Sequence, residues 1–153
     1  MASGQPETPW HAAFPTPSAS LSPSSPSPLA SLSAADLKQR IDLQPDLSQR
    51  DFLVVDVRRT DFEDAFIKGA INLPAHSFFP TLPSLLPLLT RYPSVIFHCQ
   101  SSSGRGPRCA GWFQDALDAA GVDQSVSRAV VLTGGIKGWV EAFGEDGAVT
   151  VKL

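Results

Sequence analysis

Residues 95–110 of this 153-residue chain read VIFHCQSSSGRGPRCA, and this stretch decides the fold. Its first part, Val95–Phe97, is a β-branched and aromatic run of the kind that forms a buried strand. Its last part has the composition of a helix with Pro107 near the first position, where the missing backbone N–H costs little. Between them, Cys99 is followed by five small or polar residues and then by Arg105. The pattern predicts a strand, a short loop and a helix N-terminus in succession.

Such a loop is suited to binding an anion beside Cys99. Its backbone N–H groups and the positive end of the helix dipole converge on one point. The same field favours a thiolate over a thiol, which makes Cys99 a candidate nucleophile. Arg105 offers a planar guanidinium that can hold a tetrahedral oxyanion through two parallel hydrogen bonds. The alternative is a packed core cysteine that lies near a surface arginine.

Length, charge and cysteine content narrow the class of protein. The length corresponds to one domain, and an apolar content of 42% is enough for a hydrophobic core. A net charge of -3 gives no reason to expect a nucleic acid or an anionic membrane as a partner, and no apolar run approaches membrane-spanning length. The two cysteines predict neither a disulfide framework nor a zinc site, so we expect no metal and no resident cofactor.

The expected compartment follows from the thiolate and from the first residues. A catalytic thiolate survives best in a reducing environment, so we expect the cytoplasm, the nucleus or both. No Lys or Arg precedes Lys38, which argues against a secretory signal and against a transit peptide.

The composition divides the chain into a tail and a domain. Residues 1–29 are rich in Pro, Ser, Thr and Ala, and such a segment cannot bury enough apolar surface to offset the entropy lost on ordering. We therefore interpret residues 1–29 as a disordered tail. Residues 30–153 hold the periodic apolar segments and form the predicted domain.

The segments before the central stretch alternate between helix and strand. The capping box Ser33-Ala34-Ala35-Asp36 predicts a helix that Pro45 ends. The apolar run of residues 52–57 predicts a parallel strand that is covered on both faces. Residues 58–68 are charged and predict a loop with a short helical turn, and residues 70–73 predict a second short strand.

The later segments continue the alternation. Residues 76–91 are rich in leucine but contain three prolines, so we expect a helix only from about Ser84, with Pro87 in its first turn. Residues 107–120 carry one continuous apolar stripe at helical spacing. Residues 129–132 predict the last strand, and a short helix closes the domain.

Alternating strands and helices predict a parallel sheet with right-handed crossovers and helices on both faces. In such sheets, ligands bind beyond the carboxyl ends of the strands. The loop that follows Cys99 lies at such an end, so the motif and the topology agree.

Three segments resemble the rhodanese-type domains. Residues 54–74, VVDVRRTDFEDAFIKGAINLP, are similar to the first signature of these domains, and residues 130–139, VVLTGGIKGW, to their closing segment. Residues 98–110, HCQSSSGRGPRCA, resemble the active-site loop of the cell-division-cycle dual-specificity phosphatases and of the yeast-type arsenate reductases. The resemblance covers about residues 33–143. It implies an α/β rhodanese-like fold with a five-stranded parallel sheet flanked by helices on both faces.

The resemblance also implies the roles of the site residues. Cys99 is the nucleophile, and Arg105 is its catalytic partner. Asp56, at the end of its strand, braces loops. His98 points to the opposite face from Cys99 and holds the loop by hydrogen bonds. The oxyanion-binding loop comprises Gln100, Ser101, Ser102, Ser103, Gly104 and Arg105.

Details of the loop distinguish members of the superfamily. The sulfurtransferases carry a loop one residue shorter, whereas the longer loop found here admits a tetrahedral phosphate or arsenate. The cell-cycle phosphatases usually carry glutamates where this loop has Gln100 and Gly104, so a candidate proton donor is lost, and the arsenate reductases manage without these acids. Phe66 replaces the usual histidine of the first signature, at a position that we interpret as structural.

The resemblance implies a cysteine-dependent protein tyrosine or dual-specificity phosphatase, or an arsenate reductase. The substrate would be a phosphoprotein or a small oxyanion. Because Cys109 lies on the apolar stripe of its helix, we interpret it as a core residue, and glutathione or glutaredoxin would then act as the reductant of arsenate. The alternatives are a thiosulfate-type sulfurtransferase with a Cys99 persulfide and a non-catalytic module that binds phosphopeptides.

Overall fold

The computed structural model describes residues 9–153. Seven strands and four helices follow one another along this part of the chain. In order they are β1 (Ala30–Leu32), α1 (Ala34–Leu43), β2 (Phe52–Asp56), β3 (Ala65–Ile67), β4 (Ile71–Asn72), α2 (Ala75–Leu89), β5 (Ser94–His98), α3 (Arg105–Ala119), β6 (Arg128–Leu132), α4 (Gly135–Phe143) and β7 (Thr150–Lys152). Within residues 9–153, no helix is long and apolar enough to cross a membrane.

Five of the strands form one parallel sheet in the order β1-β6-β5-β2-β4. The strand that ends before Cys99, β5, is central, and Ile96 pairs with Val54 on one side and with Val130 on the other. The two remaining strands, β3 and β7, form a separate antiparallel ribbon. The central position of β5 explains why all five of its residues are buried.

Side chains that alternate along β5 supply two cores. Val95 and Phe97 belong to the core on the face covered by α2 and α3, and Ile96 belongs to the core that includes residues of α1 and α4. Phe97 lies 5.7 Å, between ring centroids, from Phe113 of α3. The sheet is therefore held between helices on both faces, as the sequence predicts.

The predicted elements around the central stretch are confirmed with small shifts of their boundaries. Ser33 caps α1 and accepts a hydrogen bond from the backbone of Asp36. Helix α3 begins at Arg105 and not at Pro107, so it directly follows the loop. The sequence pattern does not predict β1 and β3, which have three residues each and take their stability from their partner strands.

The prediction that a helix starts only near Ser84 is wrong, because α2 begins at Ala75. Apolar residues of α2 at helical spacing, including Phe78 and Leu82, are buried against the rest of the core. Its three prolines lie on the exposed side of the helix: Pro80, Pro83 and Pro87. Burial of the inner face outweighs the backbone hydrogen bonds that the prolines cannot donate.

The prediction of a disordered tail over residues 1–29 is wrong for residues 9–29, and residues 1–8 lie outside the described range. We call residues 9–29 the N-terminal arm. Ala19 is fully buried, and Leu29 is 8% exposed. Trp10 and Phe14 pack against the core on the α2 and α3 face. Composition alone misjudged the arm, since its apolar partners are supplied by α3 and not by the arm itself.

Hydrogen bonds fix the arm to α3. The indole N–H of Trp112 donates to the carbonyl of Pro15 at 2.8 Å. The Asp115 carboxylate accepts the backbone N–H groups of Ser18 and Ala19 at 2.7 and 2.9 Å. Gly111 lets the arm approach the helix, because a Cβ at this position would lie 2.5 Å from the carbonyl oxygen of Ala19.

Candidate active site

The loop of residues 99–104 surrounds the thiol of Cys99 at the carboxyl end of β5. Cys99 is buried, with 3% of its surface exposed. The backbone N–H of Gly106, in the first turn of α3, donates to its Sγ at 3.2 Å. Gly106 permits this approach, since a Cβ there would lie 3.2 Å from the backbone nitrogen of Cys99. The thiol therefore lies at the positive end of the helix, where negative charge is stabilised.

The start of α4 holds the first part of the loop from behind. The backbone N–H groups of Ile136 and Lys137 donate to the carbonyls of Cys99 and Gln100, both at 3.0 Å. Gly135 makes this contact possible, because its φ is +59° and a Cβ would lie 2.5 Å from the Gln100 carbonyl oxygen. The closing segment TGGIKGW thus acts on the site through its backbone.

The serines of the loop differ in their surroundings. The hydroxyls of Ser101 and Ser103 lie 2.9 Å apart near the surface. Ser102 is 8% exposed and has a φ of +58°, in the left-handed region that a residue with a side chain rarely adopts. Its buried hydroxyl has no hydrogen-bond partner within residues 9–153. Strain and an unpaired polar group meet in one residue, as is common where a protein binds a ligand.

Arg105 is held by an acidic residue that the sequence analysis missed. Its two terminal nitrogens donate to the two carboxylate oxygens of Asp61 at 2.7 and 2.6 Å. Hydrogen bonds from Arg105 lower the pKa of Asp61 to about 2. Asp61 occupies the guanidinium fork as an oxyanion would. Its signal in the sequence is weak, since it is one of several acids in the charged segment after β2.

Asp56 and Arg58 form a second pair behind the first. The guanidinium of Arg58 donates to both oxygens of Asp56, with Nη2 at 2.8 Å from Oδ2. It also donates to backbone carbonyls of the segment that carries Asp61: those of Asp61, Glu63 and Ala65. Arg58 thus links Asp56 to the segment that carries Asp61, and the bracing role of Asp56 stays a prediction.

His98 is fully buried behind the loop. Its Nδ1 lies 3.1 Å from the carbonyl oxygen of Cys99, and its Nε2 lies 3.7 Å from the Asp56 carboxylate. Burial lowers its pKa, so the ring is neutral near pH 7. The role of His98 in holding the loop stays a prediction.

The second cysteine, Cys109, is shielded from solvent. Cys109 is fully buried on α3, and its burial raises the pKa of its thiol. Both cysteines are free thiols. Among residues 9–153, no cluster of His, Cys, Asp and Glu is arranged to hold a metal ion.

A cavity of about 480 Å³ opens above the loop. Its floor is formed by Cys99 and the loop, and its walls include Trp10, His11, His76 and Arg108. The sequence analysis did not place Trp10 or His76 in the site, because both lie far from Cys99 along the chain.

The rhodanese-like domain family matches residues 33–142. The chain belongs to this family. The α/β rhodanese-like fold expected from the sequence is confirmed, with its five-stranded parallel sheet and its helices on both faces. The N-terminal arm precedes the matched residues.

This rhodanese-like chain is similar to enzymes of two kinds. It is 37% identical over 98 residues to "Arsenate reductase 2.2" of Oryza sativa subsp. japonica, covering 63% of this chain and 75% of that protein. It is 36% identical over 110 residues to "CDC25-like phosphatase YCH1" of Saccharomyces cerevisiae, covering 65% of this chain and 72% of the yeast protein. The resemblance drawn from the three segments is therefore confirmed.

The fold is also similar to a solved structure of the Saccharomyces cerevisiae protein Ygr203w, described as a homolog of single-domain rhodanese and of the Cdc25 phosphatase catalytic domain. The TM-score is 0.70 at 28% sequence identity, with 80% of this chain and 87% of that chain covered.

Proposed function

We propose that this chain is a cysteine-dependent protein tyrosine or dual-specificity phosphatase of the rhodanese fold that also reduces arsenate. The observation that carries the proposal is the thiol of Cys99, which accepts the N–H of Gly106 at the start of α3. A thiolate, a helix N-terminus and an arginine in one loop are the groups that in-line attack on a tetrahedral oxyanion requires. Relatives of both enzymatic kinds support it.

Substrate binding requires an exchange at Arg105. The phosphoryl or arsenate group replaces the Asp61 carboxylate as the bidentate partner of the guanidinium. The backbone of residues Gln100–Gly104 surrounds the other oxygens. The pair that is exchanged is partly exposed, with 23% of the Arg105 side chain and 35% of the Asp61 side chain accessible, so breaking it costs about 1 kcal/mol or less.

Phosphate hydrolysis then takes two steps. Cys99 forms a sulfur–phosphorus bond as the phosphorus–oxygen bond to the leaving group breaks, and the leaving oxygen keeps the electron pair. Water attacks phosphorus in the second step, which releases phosphate and restores the thiolate. Even without the hydrogen bonds from Arg105, the ordinary Asp61 pKa of 3.8 keeps its carboxyl ionised at neutral pH, so Asp61 is a poor proton donor to the leaving group. The site therefore favours phenols, whose pKa of about 10 makes them better leaving groups than alkyl alcohols.

Arsenate reduction uses the same first bond. Cys99 attacks arsenic, and water leaves. A thiol from glutathione then attacks the sulfur of Cys99, and the sulfur–arsenic electron pair stays on arsenic as arsenite departs. A second glutathione or glutaredoxin reduces the mixed disulfide, so two thiols become one disulfide for each arsenate reduced. An external reductant is needed because Cys109 is fully buried. These thiols belong to a reducing compartment, which supports the cytoplasm or the nucleus as the location.

The test compares Cys99→Ser with Cys109→Ala in two assays on the purified chain. These are hydrolysis of p-nitrophenyl phosphate and arsenate reduction with glutathione and glutaredoxin. We expect Cys99→Ser to abolish both activities, because a serine hydroxyl is not ionised at neutral pH, and Cys109→Ala to retain them. Transfer of sulfur from thiosulfate to cyanide without phosphatase or reductase activity would replace the proposal by a sulfurtransferase. Oxyanion binding without any turnover would leave a non-catalytic binding module.

A further inference from the structure

The cavity above Cys99 is larger than one oxyanion requires. Its volume of about 480 Å³ lies within the range of about 300–1,000 Å³ that is usual for sites binding organic molecules. In the proposed function, the loop and Arg105 hold the oxyanion at the floor. The remaining volume lies between the loop and the residues of the wall, and the chemistry of that wall indicates what fills it.

The wall is aromatic except for Arg108, and its aromatic part is built from two distant parts of the chain. Trp10 of the arm lies 4.9 Å from His76 at the start of α2, between ring centroids, with the planes inclined by 37°. Behind them, Trp112 supports Trp10 edge-on at 5.9 Å. Burial is the main cause that lowers the pKa of His76, and the positive charges of Arg59 and Arg105 lower it further. The ring is therefore neutral near pH 7. A neutral aromatic wall attracts another aromatic ring by stacking or by edge-to-face contact.

The position of Trp10 is set by the way in which the arm is attached. The arm is fixed to α3 through Pro15 and through the Asp115 carboxylate. Ala19 fills the space above Gly111. The bonds of Pro15 and Ala19 are partly buried and that of Ser18 is exposed, and together they give Trp10 a defined place over the loop. The arm lies outside residues 33–142, so the part of the wall that Trp10 supplies lies beyond the family domain.

We propose that Trp10 and His76 hold the aromatic ring of an aryl phosphate, of which phosphotyrosine is the protein form, while Cys99 attacks its phosphorus. The inference rests on the proposed function, and it makes the N-terminal arm a part of the active site that determines specificity. The imidazole Nδ1 of His76 is buried and has no hydrogen-bond partner within residues 9–153. It is therefore available to a polar group of the substrate next to the ring.

The test compares Trp10→Ala with Phe14→Ala as a matched control. Both side chains meet Trp112 edge-on at 5.9 Å, and Phe14 does not line the cavity. We expect Trp10→Ala to lower kcat/KM for p-nitrophenyl phosphate and for a phosphotyrosine peptide by roughly 3- to 10-fold, the usual value of one aromatic contact. Arsenate reduction, whose substrate has no ring, should change less than about twofold by the same reasoning. Phe14→Ala should leave the ratio of the two activities unchanged, and Trp10→Phe should restore it.

A binding experiment separates this inference from the proposed function. In the Cys99→Ser background, phenyl phosphate should bind more tightly than inorganic phosphate, and Trp10→Ala should remove most of that difference. An equal loss for both ligands, or no preference for phenyl phosphate, would overturn the aromatic wall even if the enzyme is a phosphatase. If Cys99→Ser prefers phenyl phosphate but the wild-type chain shows no turnover, the proposed catalysis is overturned and the aromatic wall is retained.

Discussion

Two aspartate–arginine pairs lie side by side in this molecule, and they differ in what surrounds them. Arg58 and Asp56 are buried, with 2% and 0% of their side chains exposed, and Arg58 has three further carbonyl partners. Arg105 and Asp61 are partly exposed, and within residues 9–153 the guanidinium of Arg105 makes hydrogen bonds with Asp61 alone. A pair whose donors are all used holds a structure together, whereas a pair with one replaceable partner can give that partner up to a ligand.

Breaking the buried pair of Arg58 and Asp56, the inner pair, should have the largest effect, and the pair of Arg105 and Asp61 is called the outer pair. Arg58→Ala leaves the Asp56 carboxylate buried without its counter-charge, and we expect the free energy of unfolding to fall by about 3–5 kcal/mol. Urea denaturation measures it. The neighbouring exposed residue provides the control, since Arg59→Ala should change the free energy of unfolding by less than about 0.5 kcal/mol. Equal effects of the two variants would show that the inner pair does not brace the fold.

Changing the outer arginine should affect the rate and leave the fold intact. Arg105→Lys replaces a planar fork by a point charge, so it should be nearly as damaging as Arg105→Ala. We expect kcat/KM for p-nitrophenyl phosphate to fall by about 10²–10³-fold, the usual loss for one donor to the transition state. The urea midpoint should barely move, because an exposed pair contributes about 1 kcal/mol or less. A lysine variant within about threefold of the wild type would contradict the bidentate role.

Removing the outer aspartate should have a smaller effect of the opposite sign. Asp61→Asn takes away the carboxylate that competes with the oxyanion for Arg105, so KM for p-nitrophenyl phosphate should fall by up to about fivefold, the equivalent of about 1 kcal/mol. Steady-state kinetics at low ionic strength measure it. A tenfold loss of kcat would instead show that Asp61 positions Arg105 for catalysis.

The smallest expected effect is the dependence of the outer pair on pH. The folded pKa of Asp61, about 2, lies below the ordinary value of 3.8. The pair therefore stabilises the fold fully above the ordinary value, and this contribution is lost as the pH falls through about 2. The difference in urea midpoint between wild type and Asp61→Asn should stay constant from about pH 5 to 8 and shrink below about pH 4. A difference that changes near pH 6 would mean that another group controls the pair.

The sequence alone predicted the elements whose burial is local, and it did not predict those that depend on distant partners. The strands that end at Asp56, His98 and Leu132 were identified because they are apolar runs whose burial is a local property of the sequence. The start of α2 was predicted too late in the chain, because the cost of its prolines was considered without the burial of its apolar face. The strand β1 and the β3–β7 ribbon escaped notice because segments of three residues are stabilised only by their partner strands.

The candidate site was predictable where it is contiguous in the sequence. Cys99, the loop and Arg105 lie within one short segment, so their spacing carries the geometry. Asp61 lies 44 residues from Arg105, and its pairing depends on how the segment after β2 folds over the sheet. Trp10 enters the cavity because the arm docks on α3, a contact that composition cannot predict, and His76 enters it from the start of α2.

The attachment of the arm also determines the order in which the molecule is completed. The arm is synthesised before its anchors on α3, and Trp112, the partner of Pro15, lies 97 residues later in the chain. At about 5–20 residues per second, a ribosome needs roughly 5–20 s to supply them. The arm must therefore wait undocked until the catalytic loop and α3 have emerged.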